Sequence, residues 1–297
     1  LSYIVSLAGH DQKYVFRFNR QRYDRDDAAL LTEQEHNALI ASRTPIPVPR
    51  IHHVDVSRTV VETGFIVMDF MPGDSWRFLL HPQNKSTSPA EKQQIASRFG
   101  QATAQLHCIT RSCTREPGAG VVHGLDALER VVSGADCLVT PERIEACRRI
   151  ACSDPALIMH EESYCVGDGE MHLLCDEQGW QVSFLCDLEY QGYGDPCYDM
   201  APLLCHPEPI WSLSEPLTGL TSGPLAEAYF GGYEQVRPVD RERLAAIAIY
   251  AHLGTMCGVA REAYRADDGA GIEAREPPIY SKLLREIERR GATLGPG

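Results

Sequence analysis

The amino-acid sequence predicts an α+β fold in two lobes, a small β-rich lobe followed by a larger, mostly helical one. Strand-like segments crowd in front of the break Met71-Pro72-Gly73, and behind it helix caps and apolar residues at helical spacing prevail. A hairpin pattern from Leu173 to Cys186 interrupts the helical part. The expected division is residues 1–70 for the first lobe and 71–297 for the second.

Tyr3, Val5 and Leu7 alternate onto one face of a first strand. Ala8 to Asp11 turns the chain and Tyr14 to Phe18 forms a second strand, so the two make an antiparallel hairpin. A helix is expected from Ala28 to Ser42, with Leu31, Ala38 and Leu39 among its apolar positions. Pro45, Pro47 and Pro49 force the next segment to be extended. A further strand lies within Val60 to Phe70. Ser88-Pro89-Ala90-Glu91 combines an N-cap serine, a proline at the first helical position and a glutamate three residues after the cap; the helix it opens aligns Ile95, Phe99 and Leu106. Thr140-Pro141 opens another helix, striped by Ile144, Cys147 and Ile150. Leu173 to Cys175, a turn at Asp176 to Gly179, and Trp180 to Cys186 make the hairpin. From Leu225 the chain reads as helical to its end. Its apolar stretch Leu244 to Ala260 is too short and mixed for a membrane span and reads as a buried helix.

With 43% hydrophobic and 23% charged residues, the composition is that of a globular protein with a real core. The 28 basic and 41 acidic side chains leave a formal charge of −13. Such a surface repels phosphate backbones and anionic lipid, so neither a nucleic-acid nor a membrane partner is expected; a cationic small molecule would suit it. The 11 cysteines are scattered without a C-x-x-C pair, and nothing at the start reads as a signal peptide. They are expected to be reduced, mostly buried residues of a cytoplasmic protein. His52 and His53 are neighbours on a strand and face opposite ways, which argues against a metal site there. Cys165, Cys175 and Cys186 with His172 lack zinc-ligand spacing.

The chemistry concentrates between Tyr164 and Ala201. Asp168 sits in a tight loop before the hairpin and Asp187 at the hairpin's far end, which brings two carboxylates to one edge. Two carboxylates with a neutral ligand between them suit phosphoryl transfer. One orients an acceptor hydroxyl and takes its proton; the other holds the magnesium that bridges nucleotide phosphates.

Val166-Gly167-Asp168, Leu185-Cys186-Asp187 and Gly194-Asp195-Pro196-Cys197-Tyr198-Asp199-Met200-Ala201 resemble the catalytic core of the aminoglycoside phosphotransferase and choline kinase family. That family's pattern is His-Gly-Asp-Leu-His-x-x-Asn, a hairpin, Ile-Asp-Trp, and Gly-Asp-Pro-x-Tyr-Asp-Leu-Ala. Val15-Phe16-Arg17 is similar to the strand bearing the family's phosphate-contacting base, and Glu35 to that base's helix partner, with Glu33 competing for the role. Ile46 to Arg50 resembles the proline segment, Val67 to Gly73 the nucleotide hinge, and Leu106-His107 the end of the first large-lobe helix. The resemblance runs from about residue 3 to 201.

It implies a protein-kinase-like fold, ATP or GTP as co-substrate, Mg2+ as cofactor, and transfer of the γ-phosphate to a small-molecule hydroxyl. Asp168 is then the catalytic base, with Glu170 as the alternative under a second alignment. Asp187 is a metal ligand, Arg17 a phosphate contact, and Val67, Met68, Asp69, Phe70 and Met71 the seat of the nucleotide base. The loop is one residue short. Counting back from Leu173-Leu174 places His172 at the family's metal-binding Asn; counting forward places Leu173 there, which cannot ligate. Arg17 stands for the usual lysine and Val166 for the usual histidine, and the glycine-rich loop would precede the first strand. Asp195 and Asp199 are expected to hold loops by hydrogen bonds. Asp267, Asp268, Glu273 and Glu276 are expected to line an acceptor pocket, a solvated loop being the plainer reading. The expected acceptor is an antibiotic of aminoglycoside, cyclic-peptide or nucleoside type, with resistance as the outcome. Choline, a sugar or an amino-acid derivative is the metabolic alternative, and a nucleotide-binding pseudokinase the reading without transfer.

Overall fold

The computed structural model describes residues 2–6, 9, 12–19, 27–81, 84–115, 125, 140–167, 169–188, 191–201, 223–245, 247–248, 285 and 287–293. Its first part is an antiparallel sheet ordered β1-β2-β4-β3, built from β1 (Ser2–Ser6), β2 (Lys13–Phe18), β3 (Ile51–Asp55) and β4 (Phe65–Asp69). β4 lies within the expected stretch from Val60 to Phe70, and residues 57–63 bend before it. Leu30 of helix α1 (Ala28–Arg43) packs with Ile66 and Met68 of β4 into a small core of this lobe.

The buried face of α1 is Leu30, Glu33, Asn37 and Ile40, whereas Leu31 and Ala38 point outward. Two inward positions are polar because each has a partner: Asn37 donates to the Pro49 carbonyl at 2.9 Å, and Glu33 meets Arg17. An apolar stripe is therefore a poor guide to which way this helix faces. The proline segment docks onto the second part through the Leu185 amide, which donates to the Pro47 carbonyl at 3.0 Å.

That second part opens with β5 (Asp74–Ser75) and the short helix α2 (Trp76–Leu80). Helix α3 (Pro89–His107) follows, with the capping box formed by Ser88 and Glu91 and with Ile95, Phe99 and Leu106 buried. It crosses helix α6 (Pro224–Tyr233) at very close range: a methyl group on Gly100 would stand 2.0 Å from the Tyr229 carbonyl oxygen, and one on Gly232 2.0 Å from that of Ser97. Trp76 stacks on Phe99 at 4.7 Å, and Phe99 meets Tyr229 edge-on, beside this crossing. Helix α4 (Pro141–Ser153), capped by Thr140, buries Ile144, Cys147 and Ala151.

Two three-stranded sheets complete the described architecture. In one, β5 joins the hairpin of β8 (Glu170–Asp176) and β9 (Gly179–Cys186). In the other, β7 (Met159–Cys165) lies between β6 (Thr110–Arg115) and β10 (Gly192–Gly194). A short helix, α5 (Pro196–Met200), follows β10. The expected unbroken helix from Leu225 is interrupted: α6 ends at Tyr233, whose carbonyl receives the Val236 and Arg237 amides at 3.0 Å, and Pro238 follows. A new helical run begins at 241, where Asp240 caps the Arg243 amide and Leu244, Ile247 and Ala248 are buried. The rest of the Leu244 to Ala260 stretch lies outside the described residues. None of the described cysteines is in a disulfide; Cys147 and Cys197 are buried, but Cys108, Cys152 and Cys175 are exposed, against the expectation of a mostly buried set. Among the described residues no helix is long and apolar enough to cross a membrane.

Candidate active site

Arg17 is held in the middle strand pair of the first sheet, opposite Ile66 of β4 and Ser2 of β1. Its guanidinium reaches in two directions. One nitrogen pairs with Glu33 of α1, and the other donates to Asp187 Oδ1 at 2.6 Å, so that it links the first sheet to the turn after β9. Glu33, only 2% exposed, is the helix partner in place of Glu35, which is exposed. Two residues along an α-helix turn the side chain by about 200°, so only one of this pair can face the sheet. A buried carboxylate needs a cation, and the planar guanidinium suits two carboxylates at once.

Asp187 follows β9 in the left-handed backbone region, φ 58°, which aspartate tolerates better than most residues. Its side chain is about half exposed and is met by Arg17. Asp168 lies outside the described residues. The residues flanking it are held from beneath. Val166 and Gly167 donate their amides to the two oxygens of Asp199 at 2.6 and 2.7 Å, and the Gly169 amide donates to the Val166 carbonyl at 2.9 Å. Gly167 has φ 53°, a conformation glycine adopts freely. Asp199 in turn contacts His107 Nε2 at 3.0 Å, and His107 Nδ1 meets the Tyr233 hydroxyl at 2.8 Å. A buried relay thus runs from the α3–α6 region to the main chain of the loop. Asp195 caps α5 at the Cys197 amide and pairs with Arg243 through both carboxylate oxygens.

Glu170 is engaged by the Ser75 hydroxyl and by Arg77 Nε at 3.0 Å. His172 is not brought to Asp187. It stands opposite Phe184 in the hairpin, whereas Asp187 follows Cys186, the partner of Glu170. The His172 ring stacks on Phe184 with centroids 4.2 Å apart, and its Nδ1 lies 3.2 Å from the Gly73 carbonyl oxygen. The strand alternation that buries Met171 and Leu173 turns His172 onto this packed face instead.

Val67 and Met68 lie inside the ladder between β2 and β3. The Asp69 amide donates to the Arg50 carbonyl and the Phe70 amide to that of Lys13, each at 3.0 Å, and the Asp69 carboxylate meets Gln12 and His52 at 2.7 Å. Met71 follows where the chain has left the sheet. Asp267, Asp268, Glu273 and Glu276 lie outside the described residues.

Among the described residues, the His, Cys and carboxylate side chains close enough to share a metal are His107, Cys165 and Asp199, with ligand atoms within 4.8 Å. The relay already uses the imidazole and the carboxylate. Burial pushes the Cys165 thiol well up, and the nearby negative charges of Asp199 and Asp195 add to it, so the site disfavours the thiolate that zinc requires. Spacing in the sequence did not single out Gln191, which is buried directly before β10 and donates from Nε2 to the Asp187 carbonyl at 3.3 Å.

A model of the phosphotransferase enzyme family matches residues 2–239. No curated protein sequence matches the chain. Among solved structures, an APH(2″) enzyme in complex with GDP and kanamycin superposes with a TM-score of 0.59 at 14% identity, covering 98% of this chain and 93% of that one. A type I macrolide 2′-phosphotransferase gives 0.56 at 17% identity over 100% and 91% of the two chains. Aminoglycoside phosphotransferase APH(4)-Ia, in a ternary complex with ADP and hygromycin B, gives 0.54 at 12% identity over 98% and 94%. These likenesses establish the two-lobed protein-kinase-like fold.

Proposed function

Given that this chain belongs to the phosphotransferase enzyme family, we propose that it moves the γ-phosphate of ATP or GTP onto a hydroxyl of an antibiotic of aminoglycoside, cyclic-peptide or nucleoside type, and so confers resistance. The observation that carries the reading is the Arg17 guanidinium, poised between buried Glu33 and half-exposed Asp187. A fixed cation beside a carboxylate at a cleft is the electrostatic frame that phosphoryl transfer needs. The nucleotide base would rest along Val67 to Met71, with its phosphates toward Arg17.

In the proposed step the acceptor oxygen bonds to the γ-phosphorus as the bond to the β-phosphate oxygen breaks. The hydroxyl proton passes to Asp168, and the nucleoside diphosphate leaves. Ser75 and Arg77 already occupy Glu170, which favours Asp168 over Glu170 as the base. The donors present fit a hard divalent cation in kind: a half-exposed carboxylate at Asp187 and a buried amide oxygen nearby on Gln191. Mg2+ held there would neutralise charge developing on the phosphates. Two of the solved structures this chain resembles hold a nucleoside diphosphate and a second ligand, GDP with kanamycin in one and ADP with hygromycin B in the other. A cationic acceptor would also suit the charge of −13.

The test is incubation with magnesium and ATP or GTP against an antibiotic panel, read by mass spectrometry for one added phosphoryl group. A product lost in Asp168→Asn supports the reading. A product that survives in Asp168→Asn returns the base to Glu170. Modification of choline, a sugar or an amino-acid derivative alone would move the acceptor class, and nucleotide binding with no transfer to any acceptor would sink the enzyme reading.

A further inference from the structure

We propose that Gln191 supplies the neutral oxygen ligand for the divalent cation at Asp187, the place that His172 does not fill. The inference rests on the phosphotransferase reading and assigns a ligand within it. Gln191 is 8% exposed, and its Oε1 has no hydrogen-bond partner among the described residues. A buried amide oxygen left without a donor is costly, and where one persists an absent ion, water or ligand is the physical explanation to test.

The amide sits beside the main chain of the Asp187 turn. Its Nε2 donates to the Asp187 carbonyl, which fixes which end of the amide is oxygen and which is nitrogen. The oxygen is thereby turned toward the loop: a methyl group on Gly167 would stand 2.8 Å from Oε1, and one on Gly169 3.2 Å from Nε2. The amide thus lies between Gly167 and Gly169 on one side and the Asp187 carbonyl on the other. An amide oxygen is a hard, uncharged ligand that suits magnesium or manganese, whereas imidazole suits softer ions. His172 is drawn off by Phe184 and the Gly73 carbonyl. Gly167 and Gly169 leave the room that the longer glutamine side chain occupies.

The experiment measures Mn2+ binding in the presence of ADP by electron paramagnetic resonance, on the full chain and without turnover. Gln191→Ala is expected to weaken Mn2+ binding about tenfold or more, and His172→Ala to leave it unchanged. Gln191→Glu keeps the shape and adds charge. It should bind Mn2+ at least as tightly as the parent, whereas a residue that only braces the Asp187 carbonyl would lose its donor and gain nothing. Circular dichroism melts confirm that each variant is folded. Parent-like Mn2+ binding in Gln191→Ala, or its loss in His172→Ala, overturns the assignment while leaving the phosphotransferase reading intact. Failure of the parent protein to bind Mn2+ with ADP overturns both.

Discussion

Arg17 illustrates how one side chain sets the cost of a site. Arg17→Ala leaves Glu33 as a buried carboxylate without its cation, so a loss of about 3–5 kcal/mol is expected in urea unfolding. Adding Glu33→Gln should recover part of it, whereas Glu35→Ala on the exposed face should change stability by under about 0.5 kcal/mol. Asp27 offers a pH-dependent counterpart. Burial opposes its charge, but hydrogen bonds from Arg58 at 2.6 Å and Asn19 at 2.8 Å outweigh it and hold the carboxyl below its ordinary 3.8. Because the folded value lies below the unfolded one, its stabilising contribution is fully present above pH 3.8 and fades as pH falls through the folded value. Asp27→Asn should cost about 1 kcal/mol at pH 7, since Arg58 is half exposed and partly screened; in melts at falling pH the gap from the parent should close below 3.8. At this scale the sequence disclosed kinds of residue better than their partners. Arg17 stood out by the family resemblance and Asp187 as the acidic residue at the hairpin's far end, but choosing Glu33 over Glu35 required the rotation of α1.

Elements were legible where their signals are local. The Ser88–Glu91 capping box, the Thr140 cap and the hairpin turn at Asp176 to Gly179 are each written within a few residues, and all three form. The sheet of β6, β7 and β10 was not legible, because β7 reads Met-His-Glu-Glu-Ser-Tyr-Cys and buries Glu162 and Ser163. Arg111 pairs with Glu162 through Oε2 and Arg237 donates to Ser163, so both inward polar residues meet side chains remote in sequence. The α3–α6 crossing was equally hidden, since a glycine within a helix reads only as a weak position. Gly100→Ala and Gly232→Ala each place a methyl group against main chain that cannot swing aside. Each should destabilise the protein by about 1–3 kcal/mol or more, with a matching drop in the thermal midpoint, whereas Gly231→Ala, with open space around it, should be tolerated.

On the scale of the whole molecule, the two lobes share apolar core, since Ile40 and Ile46 belong to the same buried cluster as Leu106 and Leu185, and polar contacts join them as well: Arg17 to Asp187, the Leu185 amide to Pro47, and His36 Nδ1 near the Leu188 carbonyl at 2.9 Å. A nucleotide bound between them should raise the thermal midpoint, with about 2.7 kcal/mol of stabilisation at a hundred times its Kd. Magnesium should add to the shift in the parent and add nothing in Asp187→Ala, as read by calorimetry with ADP. The two-lobed plan was visible in the sequence because strand and helix patterns separate along the chain. The lobe-to-lobe contacts were not, since their partners lie as far apart as residues 17 and 187. The bridge from Arg17 to Asp187 has one more consequence. Under the proposed reading, a nucleotide phosphate would compete with the Asp187 carboxylate for one end of this guanidinium, while Glu33 keeps its hold on the other. The protein would then trade one internal counter-ion for an external one, so that phosphate affinity and the Arg17–Asp187 pair would oppose each other.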